Sequence, residues 1–294
     1  MSTAADAVAE AIVEQTGATD FLRRFLRTRS AVIGFVLVAI AVAVALLSHW
    51  IAPHDFSRTN MAFIWEPPGQ DFALGTDALG RDVVSRLMVG AAVSLVVALS
   101  VLAIALVVGT VAGMAAAWYG GWFDSVVMRT ADITFAFPDL IIAILIAAML
   151  GPGIPTVILS LSIVSWPGIA RLTRSLVLSL RNELFVDAAI VCGTRPAVIL
   201  LRHCLPNIVP ALIVRASVGV GFVVMAEATL SFLGLGVQEP LPSWGGMIRD
   251  GLPALRTDPH LALAAGVALG VTIIGFNLLG DGLRDLLDPR IRDR

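Results

Sequence analysis

Long, mainly apolar runs alternate along this chain with short breaks that carry arginine or are rich in glycine and proline. Six such runs are legible: 31–47, 87–123, 126–150, 156–170, 208–235 and 261–280. A helix needs about 20 mainly apolar residues to cross a hydrocarbon core, so the pattern predicts six membrane-spanning helices. The first run follows Arg23, Arg24, Arg27 and Arg29 and is closed by Trp50, an interfacial anchor. A cleaved leader would place a small-residue cleavage site after the apolar run, but triplets of that kind such as Ala43 to Ala45 lie inside it and none follows it before the outer loop, so the run is read as a retained span. The third run opens with Arg129 and Asp132, one turn apart and expected to pair, and continues past Pro138 and Asp139. Pro167 is a candidate kink in the fourth.

Composition sharpens this reading. The chain has 294 residues, is 57% hydrophobic and 14% charged, and has a mean hydropathy of +0.89, far from an ordinary soluble domain. A formal net charge of −2 offers no overall basic field for nucleic acid. All 20 basic residues are arginines, and without a lysine the chain cannot carry the phosphate-binding loop of an ordinary P-loop ATPase. Cys192 and Cys204, twelve apart, have no C-x-x-C spacing and are read as small apolar fillers. The four histidines are dispersed, so no metal site is expected.

Arginine placement sets the orientation. With both ends inside, fourteen arginines lie on the inner side and five outside, with Arg215 within a span, as positive-inside asymmetry requires. The expected layout is an inner segment over 1–30, a six-span body over 31–281 and an inner tail over 282–294. The body carries an outer loop at 53–86, an inner loop at 171–207 and a second outer loop at 236–260. Residues 1–20 carry scattered acids among alanines and receive no function.

Two loops carry motifs. The first outer loop contains Leu74-Gly-Thr-Asp-Ala-Leu-Gly-Arg-Asp82, where Thr76, Asp77 and Asp82 can cap the next helix and Asp82 can meet Arg86 one turn on; Arg81 lies in the same string. The inner loop contains Asp187-Ala-Ala-Ile-Val-Cys-Gly193, then Thr194-Arg-Pro196 and on to His203-Cys-Leu-Pro206-Asn207. Ala188 and Ala189 favour helix, Gly193 permits a left-handed C′ residue, Thr194 can cap a second helix and Pro196 suits its first turn, giving helix, sharp turn, helix outside the membrane.

The inner loop resembles that of binding-protein-dependent ABC importer permeases, whose pattern is Glu-Ala-Ala, three residues, Gly, nine residues, Ile-x-Leu-Pro. Ala188, Ala189, Gly193, Leu205 and Pro206 match it, with Asp187 in the Glu position and His203 in the Ile position. The LGTDALGRD string, the YGG turn, EATLSFLGLG, PSWG and the NLLGDGLRDLLDPR tail extend the resemblance over nearly all of the chain after residue 20, to the C-type permease subunit of dipeptide/oligopeptide (peptide/nickel family) ABC importers. The resemblance implies an all-α type I importer permease fold in a bacterial or archaeal cytoplasmic membrane. It also implies a homologous second permease subunit, cytoplasmic ATPase subunits that use ATP and Mg, and an external solute-binding protein. The segment around Gly193 would couple the permease to an ATPase, and the fifth span and its neighbours would line the path. Short peptides are the leading cargo, with nickel chelates, glutathione or another small solute behind them.

Charges within spans are the remaining candidates. Glu227 is expected on the translocation path, Arg215 at a structural or interfacial position, and Asp139 in either role, because each is expensive against lipid and must face protein or water. A channel or secondary transporter is the rival class, but it needs no ATPase-docking loop, and no matching pair of broken spans marks an inverted repeat. A membrane scaffold would need neither that loop nor charges inside spans.

Overall fold

The computed structural model describes residues 22–287, which are helix and loop apart from one isolated antiparallel bridge between Thr76 and Asp82. The readings made for residues 1–20 and for the end of the tail lie outside the described residues. In chain order the helices are α1 (Arg29–Ile51), α2 (Val83–Tyr119), α3 (Gly121–Phe135), α4 (Asp139–Leu150), α5 (Ile154–Leu180), α6 (Leu184–Val191), α7 (Pro196–Phe232), α8 (Trp244–Gly251) and α9 (His260–Leu287). Five of them, α1, α2, α5, α7 and α9, are individually long and apolar enough to cross a membrane.

The third expected span is broken. α3 and α4 meet the same criterion only as a pair, bent by 90°. The cause is local: Pro138 takes an extended ψ of 128° and starts α4, and a proline also biases the residue before it away from helix. Whether this pair crosses is decided by its neighbours. α2 and α5 lie side by side in parallel, with Gly109 against Trp166 and Ile169, Gly113 against Ala170 and Thr173, and Arg181 donating to the Trp118 carbonyl at 3.1 Å. Two consecutive long helices can run in the same direction only if the chain between them returns, so α3 and α4 together complete a sixth crossing. The approach is close because the glycines allow it; a Cβ on Gly113 would sit 2.4 Å from the Ala170 carbonyl oxygen.

The other contacts fix the remaining directions. Ser94 and Leu102 of α2 face Glu227 and Gly219 of α7, and Val218 of α7 faces Gly280 of α9, so each pair is antiparallel. Ala31 and Leu37 of α1 lie against Gly282 and Gly275 of α9, again antiparallel. The start of α1 and the end of α9 therefore share one face of the bundle.

Packing divides into two clusters. Toward the outer end Val83, Leu95, Val101, Leu161, Val224, Trp244, Met247 and Leu261 are buried together, and toward the inner end Met114, Ile169, Val177, Val186, Ile199, Cys204 and Leu212. Around them the surface is apolar, with Leu46, Val107, Met149 and Val267 outward, as a lipid-facing perimeter requires.

The helices overrun their expected bounds. α2 begins at Val83, so Arg86 belongs to a helix and not to the outer loop. α5 runs through Pro167 and on to Leu180, and α7 begins at Pro196, so much of the expected 171–207 loop is helical extension.

Candidate functional site

The inner loop is built from α6, a tight turn and the first turns of α7. Gly193 has φ +73°, its N–H bonds to the Ile190 carbonyl at 2.9 Å, and the Thr194 N–H bonds to the Ala189 carbonyl at 3.0 Å. That pair of bonds is a Schellman stop, and its left-handed residue is the expected glycine. Three details correct the sequence reading. Thr194 caps nothing: Arg195 holds the N-cap position without a side-chain bond, and Pro196 opens the helix. The second helix is not a separate piece but the base of α7. Leu205 and Pro206 lie within it, where six residues, Ile199–Cys204, adopt a π-helical turn and the Leu205 N–H reaches the Leu200 carbonyl. Pro206 has no N–H to give, and the wider register before it lets the helix pass without a break.

This arrangement leaves one side of α6 anchored and the other free. Val186 is fully buried in the inner cluster with Ile199 and Cys204, whereas Leu184 and Val191 are 84% and 87% exposed, with Phe185 and Ile190 also outward. Asp187, Ala188, Gly193 and Pro206 are exposed, and Ala189, His203 and Leu205 half-buried. Asp187 lies in the first turn of α6, where a carboxylate complements the helix dipole. Burying a leucine or valine returns roughly 1.5–3 kcal/mol, so an exposed apolar face on an anchored helix is a candidate docking surface. Cys204 is the buried filler expected; Cys192 is exposed and fills nothing.

At the other end, the LGTDALGRD string folds around Asp77. Its Oδ1 accepts from the N–H groups of Leu79 and Arg81, and its Oδ2 takes the Arg81 Nε at 2.7 Å. Arg81 also donates Nη2 to Glu239 Oε1 at 2.8 Å, joining the first outer loop to the second across 158 residues. Glu239 lies below the usual carboxylate range chiefly because Arg81 donates to it. Arg81 lies above its usual range: burial opposes its charge, but the bonds from Glu239 and Asp77 more than offset that. Asp82 is the N-cap of α2, accepting from the Ser85 N–H and hydroxyl, as expected. It does not meet Arg86. Arg86 turns toward Asp77, Glu239 and Asp250 at 3.4, 3.8 and 4.0 Å, because Asp82 is occupied by its cap. Thr76 and Asp77 are likewise not caps: the Thr76 hydroxyl donates to the Phe63 carbonyl and accepts from the Glu66 N–H, while its carbonyl meets His260 Nε2 at 2.8 Å.

The charges within spans separate into two environments. Glu227 is fully buried inside the bundle, where Ser94 donates to Oε2 at 2.9 Å and Ser231 to Oε1 at 2.7 Å. In this subunit it ties α2 to α7. Asp139 and Arg215 share a cleft with Phe135, Ser165, Gly168, Gly219 and Phe222. Asp132 pairs with Arg171 at 2.6 Å instead of Arg129, and Asp124 with Arg174, so the expected pair one turn apart is replaced by bonds between α3 and α5.

Residues 109–293 match the family model described as binding-protein-dependent transport system inner membrane component, and residues 18–68 match that of the N-terminal TM domain of oligopeptide transport permease C. The chain belongs to this permease family. It is 42% identical over 277 residues to the glutathione transport system permease protein GsiD of Shigella flexneri serotype 5b, covering 93% of this chain and 90% of that one. Identity is 40% over the same spans to the proteins of that name from Escherichia coli O6:K15:H31 and Shigella boydii serotype 4. The permease is thus a C-type, peptide/nickel-family ABC importer subunit, a multi-pass protein of the inner membrane and a transport subunit rather than an enzyme. Its family works with a partner permease, an ATPase and a binding protein.

Sequence reasoning missed several participants. Glu239 and Asp250 are distant in the chain from the arginines they meet, and Ser94 and Ser231 carry no pattern that names a carboxylate partner. The outward face of α6 left a faint trace, Leu184 and Val191 seven apart, in a helix too short for periodicity to be read.

Proposed function

We propose that this permease imports short peptides by alternating access, with both termini in the cytoplasm and ATP hydrolysed by its partner ATPases. The observation that carries the coupling is the exposed apolar face of α6, anchored by Val186 and stopped by Gly193. Through it an ATPase that closes on ATP and Mg bears on α6, and α6 bears on α7 and α5 through the inner cluster, so a differential contact in two ATPase states becomes a bias between two permease states. The residues assigned to coupling are Asp187, Ala188, Ala189, Gly193, Leu205 and Pro206. The chain's lack of lysine supports placing the phosphate-binding loop in another subunit. The outer end, where Arg81 and Glu239 join two loops into one surface, is the seat for the binding protein.

A second cargo reading has its own support: the relatives above are named for glutathione transport, and glutathione is itself a small peptide. The test is to purify the binding protein encoded with this permease, measure its affinity for di-, tri- and oligopeptides and glutathione, and follow uptake into proteoliposomes holding the full transporter. ATP-dependent uptake of a short peptide is expected; uptake restricted to nickel chelates or to another non-peptide solute would overturn the proposal.

A further inference from the structure

We propose that Arg215 and Asp139 form a charged subsite on the translocation path that receives the ends of a zwitterionic peptide one at a time, the guanidinium taking the α-carboxylate and the carboxylate the α-ammonium. The inference rests on the peptide-import reading and names the chemistry of its path.

Arg215 lies within the membrane-crossing part of α7, is exposed, and has no hydrogen-bond or ion-pair partner among the described residues. Its Nη1 and Nη2 lie beside Gly219 and Gly168, each 3.5 Å from where a Cβ would stand. An arginine at this depth is costly against lipid and has to face water, cargo or a partner. Asp139, half-buried, lines the same cleft, and no ion pair joins the two. Two opposite charges that share a cleft within a span without neutralising each other leave room for a ligand that carries both.

The backbone agrees. The cleft includes Phe135 and Asp139, the two sides of the α3–α4 break, and non-helical backbone at membrane depth is tolerated where it lines protein or a water-filled cavity. Phe222 and Leu102 supply apolar wall, and Phe135 is held by the Arg171 guanidinium 4.5 Å from its ring centre. Gly168 is three residues before Arg171, itself bonded to Asp132, so the subsite lies one turn inside the ion-pair layer at the inner face. The cleft is open and holds about 50 Å³, room for one terminal group at a time and not for a whole peptide, as suits a subsite completed by the second permease subunit. There a peptide terminus would exchange its hydration for a fixed opposite charge as it passes.

The experiment uses the full transporter in proteoliposomes with saturating, peptide-loaded binding protein. It compares a tripeptide with free ends, its C-terminal amide and its N-acetyl form, each rate normalised to binding protein loaded with that peptide. Arg215→Gln is expected to slow the free acid about tenfold, the worth of a charge-assisted bond, while changing the amide less than twofold. Arg215→Lys should retain most of the free-acid rate, and Asp139→Asn should slow the free amine but spare the acetylated peptide. Equal slowing of acid and amide by Arg215→Gln would mark a contact with the partner permease or with lipid phosphate and overturn the subsite; unchanged rates for both would do the same. A parent complex that hydrolyses ATP but moves none of the three peptides would defeat the import reading and the subsite together.

Discussion

Glu227 shows how a residue with one sequence signature can have two fates. A carboxylate within a span must be satisfied, and either a wet path or a pair of donors does so. Two serine hydroxyls supply the donors, and the Ser231 hydroxyl also accepts from the Val237 N–H, extending the bond from the helix into the outer loop. Glu227→Gln preserves shape and can still bond both serines, so uptake should stay within about twofold of the parent and stability should fall by about 1 kcal/mol. Glu227→Ala leaves a cavity and two unmatched hydroxyls, a loss of about 2–4 kcal/mol. Thermal unfolding in detergent beside uptake at equal permease levels checks both; loss of transport in the Gln variant at unchanged stability would place Glu227 on the path.

At the scale of elements, the turn at Gly193 is strained for any other residue although nothing crowds it. Its φ is +73° and no atom lies within 4 Å of an added Cβ, so the cost of substitution is backbone conformation alone, about 1 kcal/mol for a simple side chain and more for a β-branched one. Gly193→Val should swing α6 relative to α7 and cut uptake at least tenfold, leaving membrane insertion intact because the spans do not depend on this turn. Gly193→Ser should be milder. Uptake and ATPase activity in membranes with matched permease levels distinguish weak docking from uncoupled hydrolysis, and full transport by the valine variant would remove this turn from the coupling. The helix, turn and glycine stop were legible because local chemistry fixes them: a Schellman stop needs a left-handed residue wherever it occurs. The fusion of the second helix with α7 was hidden, because Pro206 and Pro210 read as punctuation in isolation and only the π-helical turn shows how the helix accommodates them.

The whole molecule combines two independent arguments about topology. Antiparallel packing of α1 on α9 places the start of α1 and the end of α9 on one face, and the arginine count predicts that this face is the cytoplasmic one. Cysteines placed at Gly69 and at Gln238, in a background without Cys192 and Cys204, should label from outside with an impermeant thiol reagent, while one at Gly193 should label only after the membrane is opened. Outside labelling at 193 would invert the protein.

Sequence alone determined what depends on composition and local order. The number of crossings follows from six apolar runs, the Asp82 cap and the Gly193 stop from single-residue conformational chemistry, and the family from strings such as LGTDALGRD; the arginine bias supplies the orientation that the labelling tests. Tertiary structure decided what depends on which distant groups meet. Arg86 chose Asp77, Glu239 and Asp250 over its neighbour Asp82; Asp132 chose Arg171 over Arg129; Glu227 turned into the bundle and Arg215 out of it. A charge in a span has a large penalty to offset, and every candidate partner within reach offers a similar Coulomb gain, so its partner is set by where the helices place it. Helix packing here is governed by shape, by glycines that let α2 approach α5, and that shape is a property of the folded surfaces and not of any stretch of the chain.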